Sequence, residues 1–171
     1  YLYVYLLLWL ILVIYGEWGV VMGYRSEVTI VIQTDNIEPE DVKGWHMFIA
    51  ELKANPKCDI AMREIESGQY LDNGGIDMKN CCLYVDFSDI KWYDTNKNIQ
   101  SYRAIMEIAE NWCNEDRQDT QLTPMSMAFL RVGEESTDTE EEFYGDFATE
   151  IGYISRPTIE LEDMRFKENE L

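Results

Sequence analysis

The side chains here that can do chemistry are one histidine, four cysteines and a dense population of carboxylates. His46 stands alone, so any histidine-based triad must use it. It lies at the margin of an apolar helical stripe, and a borderline helix residue explains it better than a catalyst does. Cys58, Cys81, Cys82 and Cys113 contain no C-x-x-C and no zinc-ligand spacing. Adjacent Cys81 and Cys82 on one strand point to opposite faces, which disfavours a bond between them. Buried, reduced thiols are the expected state of all four. Asp86 and Asp89, with Asp72 and Asp77 upstream, have the oxygen chemistry of a Mg²⁺ site. No Gly-rich phosphate loop or lysine partner accompanies them, and among 33 acids such spacings arise by chance. No metal and no cofactor is expected. A small enzyme working through carboxylates or His46 stays as an alternative.

Charge is the loudest chemical signal. Thirty-three Asp and Glu against fourteen Lys and Arg leave a net charge of −19. Binders of phosphate backbones present clustered Lys and Arg, so direct nucleic-acid binding is not expected. Tyr84, with Trp92 and Tyr93 just beyond, sits where sheet aromatics stack on bases, but Lys79, Lys91 and Lys97 are the only nearby cations. Aromatic packing is the better explanation. Residues 134–171 hold 13 acids against three bases. The densest run, Glu140, Glu141 and Glu142, is followed by Phe143, Tyr144, Asp146 and Phe147. A solvated surface accounts for the charge. A docking surface for a basic protein partner accounts for the aromatics as well, because rings anchor interfaces and charge speeds encounter.

Periodicity supplies the elements that must carry these residues. Glu27 to Thr34 is β-branched and reads as a central strand with Val28, Ile30 and Ile32 on one face. Pro39, followed by Glu40 and Asp41, opens a helix whose stripe is Val42, Trp45, Ile49 and Leu52, with Phe48 on the flank. Asn55-Pro56 ends it. Cys58 to Ser67 is ambiguous and is assigned to a strand; Gly68 and Asn73-Gly74-Gly75 mark a turn-rich loop. Cys81 to Ser88 is a strand with Leu83, Val85 and Phe87 on one face. A second helix runs from about Ile99 to Asn114, capped by Asn98, with Tyr102, Ile105, Ile108, Ala109 and Trp112 as its stripe. Met125 to Val132 reads as a strand, Gly133 to Phe147 as acidic and irregular, and Glu150 to Ser155 as a short terminal strand. The order is β-α-β-β-α-β with an extra C-terminal strand. That predicts an α+β, ferredoxin-like split βαβ fold with two helices on one sheet face.

The first 21 residues differ from the rest, since 18 of them are apolar. Tyr1 to Tyr15 as a helix spans about 22 Å, short of a bilayer core of about 30 Å. There is no basic n-region and no A-x-A-like site for a signal peptide. Gly16-Glu17 requires purine-rich codons shortly before Met22, the first methionine. Residues 1–21 are therefore read as a translated upstream region, with a membrane anchor as the alternative. Residues 22–156 are expected to form a single α+β domain, and 157–171 a charged tail.

From Met22 the chain reads Met-Gly-Tyr-Arg-Ser-Glu-Val; Asp89-Ile90-Lys91-Trp92-Tyr93 and Arg131-Val132-Gly133-Glu134-Glu135 follow later. In these blocks, across about Met22 to Ser155, the sequence resembles a group of uncharacterised small bacteriophage proteins that begin Met-Gly-Tyr-Arg-Ser-Asp/Glu-Val. The resemblance implies a phage accessory protein and no catalytic residues. It leaves Tyr24, Arg25, Ser26, Lys91, Trp92 and Tyr93 as motif residues of unassigned role. Arg25, a lone base in an acid-rich stretch, is expected to pair with a carboxylate near the strand end, in the Glu134 to Asp146 segment. The leading expectation is a non-enzymatic, acidic interaction protein in the host cytoplasm. Its partner is a basic host or phage protein, with inhibition of a nucleic-acid-processing or defence protein as the outcome. A membrane-anchored acidic domain, held by residues 1–21, is the further alternative.

Overall fold

The computed structural model describes residues 25–114, 124–135 and 137–146. They form an α+β unit of five antiparallel strands and three α-helices. In chain order these are β1 (Ser26–Thr34), α1 (Pro39–Ala54), a 3₁₀ turn (Pro56–Cys58), α2 (Asp59–Ser67), β2 (Asn73–Asp77), β3 (Cys82–Ile90), α3 (Lys97–Cys113), β4 (Met125–Gly133) and β5 (Thr139–Tyr144). The sheet order is β2-β3-β1-β4-β5. The apolar leader, Tyr24, Phe147, the Glu150–Ser155 strand and the charged tail lie outside the described residues.

Alternation along the strands decides where the core sits. Val28, Ile30 and Ile32 of β1, Leu83, Val85 and Phe87 of β3, and Met125, Met127 and Phe129 of β4 share one face and are all buried. All three helices pack on that face, through residues such as Trp45, Phe48 and Leu52 of α1, Met62 and Ile65 of α2, and Tyr102, Ile105 and Trp112 of α3. Edge-to-face ring contacts knit the layers, with Phe48 against Trp112 at 5.7 Å and Phe87 against Tyr102 at 5.3 Å. Asp41, almost fully buried, accepts a hydrogen bond from the Glu38 N–H at 3.1 Å and satisfies one orphan donor at the start of α1.

Four expectations need correction. Among the described residues three helices, not two, cover the sheet, because Cys58 to Ser67 is a 3₁₀ turn followed by α2 rather than a strand. Ala61, Met62 and Ile65 fall one above the other at helical spacing and are buried, and Gly68 closes the helix in the left-handed region (φ +65°). The Asn73-Gly74-Gly75 stretch, read as loop, is the edge strand β2, held by pairing with β3 from Asn73↔Asp86 to Asp77↔Cys82. The acidic stretch read as irregular contains β5, paired with β4 from Met127↔Tyr144 to Val132↔Thr139. Among the described residues, the strand beyond the β-α-β-β-α-β core is this acidic segment. The start of α3 also moves, with Asn96 rather than Asn98 at its N-cap.

Candidate interaction surface

Pairing of β5 sorts the acidic segment residue by residue. Met127 and Phe129 face the core, so their partners Tyr144 and Glu142 do too, and Glu140 follows. Glu141 and Phe143 project from the opposite face. Glu140 and Glu142 converge on the Arg103 guanidinium from α3, at 2.5 Å and 3.0 Å, with Asp94 at 3.5 Å. Arg103 lies over Phe129 and Trp92, 4.8 Å and 5.6 Å from the ring centroids, so its flat face is stacked while its edge donates to carboxylates. Arg131 completes the network. It forks onto Asp138 (2.7 and 2.9 Å), reaches Glu140 (3.1 Å) and touches the Ser26 hydroxyl (3.3 Å). The Asp138 hydrogen bond, with help from Glu140, raises the Arg131 pKa against the opposing effect of burial. Burial raises the Glu142 carboxyl, and nearby Glu140 and Glu110 add to that while Arg103 opposes it.

The opposite face is helix-free among the described residues and has different chemistry. Its strand residues run Asn73, Gly75 and Asp77 on β2; Cys82, Tyr84 and Asp86 on β3; Glu27, Thr29, Val31 and Gln33 on β1; Ser126, Ala128, Leu130 and Val132 on β4; and Thr139, Glu141 and Phe143 on β5. Every charged side chain in this set is Asp or Glu. Val31 and Ala128 form a small apolar cluster with Cys82, Tyr84 and Phe143, separate from the helix-side core. The centre is closed, with Thr29, Val31, Ala128 and Leu130 all buried. What the face offers is its rim. Asp77 and Glu141 are exposed, and Glu27, Tyr84, Asp86 and Phe143 are half-buried. Burial and the neighbouring Asp86 raise the pKa of both Glu27 and Tyr84.

The sequence blocks around Arg25, Lys91 and Arg131 meet at one corner of the sheet. Ser26 pairs with Ile90 on one side and Gly133 on the other. The Arg25 side chain binds Asp89 (2.8 Å) and its carbonyl (3.0 Å), while the Arg25 backbone N–H donates to Glu134 (2.9 Å). The expected partner segment thus holds the Arg25 backbone, and its guanidinium goes to Asp89. Trp92 is buried against Phe87, Tyr102 and Phe129, whereas Lys91 and Tyr93 are exposed. These residues tie together the ends of β1, β3 and β4.

The other candidates are not brought together. Asp72 accepts from the Ser88 backbone and hydroxyl, Asp77 from the turn at Lys79 and Asn80, Asp86 from the Thr29 hydroxyl, and Asp89 from Arg25. Among the described residues no group of three or more His, Cys, Asp or Glu is arranged to hold a metal ion. No helix among them is long and apolar enough to cross a membrane. His46 is exposed on α1. All four cysteines are free. Burial pushes Cys58 and Cys82 up to about 11 and Cys113 to about 12, so these thiols are protonated and poorly nucleophilic at neutral pH.

Sequence reasoning missed Arg103 and Arg131 as the partners of Glu140 and Glu142. One signal was present. Arg131 falls on the alternation of Met125, Met127 and Phe129, which puts a guanidinium on the core face, where a carboxylate must meet it. No protein-family model, curated protein or solved structure matches the chain.

Proposed function

We propose that this protein is a non-enzymatic interaction protein that binds a cationic protein partner along the acidic rim of its helix-free sheet face. The observation that carries the reading is the sorting of charge by face. The core-facing arginines, Arg103 and Arg131, are engaged by carboxylates of their own chain. The charged strand side chains of the opposite face are all acids, namely Glu27, Asp77, Asp86 and Glu141. Such a rim attracts a basic surface and repels polyanions. Tyr84 and Phe143 supply the apolar contact that charge alone lacks. We read the sheet order and the β-α-β-β-α-β core as the ferredoxin-like split arrangement, extended at one edge by β5. The sequence blocks fit a phage accessory protein, for which a basic host or phage protein is the natural partner.

The test compares two charge-neutralised pairs of the full chain binding an oligolysine peptide. Glu27→Gln with Glu141→Gln removes rim charge, and Glu40→Gln with Glu66→Gln removes the same charge from exposed positions on α1 and α2. At about 0.2–1 kcal/mol per exposed pair, the rim variant weakens binding about two- to thirty-fold. Equal weakening by both pairs means that net charge alone is being read, and refutes the assignment to this face.

A further inference from the structure

We infer that the partner binds as an added strand on the outer edge of β5, an extension that rests on the cationic-partner reading above. Among the described residues β5 ends the sheet. Its ladder to β4 follows from the Gly133 N–H donating to the Asp138 carbonyl at 2.8 Å. Hydrogen-bonded and non-bonded pairs alternate from there, so Glu140, Glu142 and Tyr144 spend their backbone groups on β4. Thr139, Glu141 and Phe143 aim N–H and C=O outward, away from the sheet. An extended segment satisfies those groups by continuing the ladder.

The surroundings of the edge specify what that segment carries. On the helix-free side its residues lie beside Glu141 and Phe143, where the strands bring acids and no base, so alternate positions suit Lys or Arg. On the helix side a cleft of about 910 Å³ runs between β5 and α3, lined by Ile60, Gln100, Ala104, Glu107, Glu140 and Glu142 among others. Its three basic and four acidic lining side chains nearly balance, and Glu140 and Glu142 already hold Arg103. The intervening positions therefore suit aliphatic side chains against Ile60 and Ala104. The recognised pattern is an extended run in which basic and aliphatic residues alternate. A second copy of this chain is disfavoured at the edge, because Glu140-Glu141-Glu142 meeting itself repels. The other edge of the sheet among the described residues, β2, has Lys53 paired with Glu66 beside it and offers no comparable charge preference.

The experiment uses the full chain and a ten-residue peptide alternating Lys and Val, with two controls. One control is N-methylated at alternate residues, which keeps the charge and removes strand pairing. The other alternates Glu and Val. The Lys-Val peptide is expected to bind at least tenfold more tightly than either. It is also expected to slow hydrogen exchange at the Thr139, Glu141 and Phe143 amides at least tenfold. Glu141→Pro removes an outward donor without touching the β4 ladder, as edge strands tolerate, and weakens the Lys-Val peptide to the level of its N-methylated form. Equal binding of the N-methylated peptide overturns strand addition and leaves the acidic docking reading standing. Binding of the Glu-Val peptide as tight as that of Lys-Val overturns both. Slow exchange of these amides in the free chain means the edge is already paired, within the chain or with a second copy, and overturns the proposal.

Discussion

Arg103 is the residue whose loss should reveal most about how the acidic strand is held. Its side chain is about one-quarter exposed, lies on two aromatic rings and faces Glu140, Glu142 and Asp94. Arg103→Met keeps an unbranched side chain over Phe129 and Trp92 and removes only the charge and its donors. Removing one member of a buried pair costs about 3–5 kcal/mol, whereas an exposed pair is worth about 0.2–1 kcal/mol. Partial exposure puts Arg103→Met between these, at about 2–3 kcal/mol. The cost comes from leaving two carboxylates on the same face of β5 with only Arg131 to share. The added substitution Glu142→Gln should then restore about 1 kcal/mol, because burial and the neighbouring acids already disfavour that carboxylate. Arg103→Lys should recover little, since a point charge cannot fork to two carboxylates while stacking. Urea unfolding at neutral pH reads all three, with the slope unchanged if only stability moves. A loss under 0.5 kcal/mol for Arg103→Met, or no recovery on adding Glu142→Gln, refutes the claim that this guanidinium holds β5 to the core.

Other perturbations test the surrounding frame. The Ser101 hydroxyl, from α3, accepts a hydrogen bond from the Ala61 N–H at 3.0 Å in the first turn of α2, and both residues are buried. Ser101→Ala should cost about 1–3 kcal/mol in urea unfolding, and a neutral result means another acceptor takes that donor. Gly145 follows β5 with φ +88°, and an added Cβ meets the Met125 carbonyl oxygen and, at 2.6 Å, the Ser126 hydroxyl. Gly145→Ala should destabilise by about 1–3 kcal/mol from the backbone alone, and an unchanged Tm would falsify that local geometry. Burial is the leading cause that raises the carboxyls of Glu27, Asp35, Glu64 and Glu142. The folded chain then binds protons more tightly than the unfolded one. Stability should fall as pH climbs from the ordinary values of 3.8 for Asp and 4.5 for Glu through the raised folded values. Asp77, lowered chiefly by hydrogen bonds from Asn80, works in the opposite sense but is fully exposed. Thermal unfolding should therefore occur at a higher temperature near about pH 5 than at neutrality; a Tm that declines steadily on acidification contradicts these shifts.

How much of the fold was legible follows from which residues carry their own signal. α1, β3 and α3 could be read because each buries one periodic face, as Tyr102-Ile105-Ala109-Trp112 illustrates, and β1 and β4 because their apolar centres are buried on both faces. α2 was misread because its nine residues bury only Ala61, Met62 and Ile65, and one of its N-terminal donors is satisfied by Ser101, forty positions along the chain. β2 has almost no side-chain pattern. Gly75 is a strand residue only because Tyr84 lies across from it. In β5, Thr139 to Glu142 reads as an unbroken polar run, since the arginine on α3 that makes Glu140 and Glu142 inward-facing lies 37 and 39 residues away. The acidic segment was recognised as the candidate surface, but its division into a paired half and a free half depends on register, which composition does not encode.

The central claim is that a cationic partner reads the rim of the helix-free face at β5. The most direct test maps backbone amide shifts of the full, isotopically labelled chain during titration with the alternating Lys-Val peptide in low-salt buffer, and again in high salt. The largest changes should fall on Thr139 to Phe143, fall off across β4 toward Glu27 on β1 and Tyr84 and Asp86 on β3, and shrink as salt screens the charges. Changes centred on α1 or α2, or spread evenly over every acidic stretch, contradict the account.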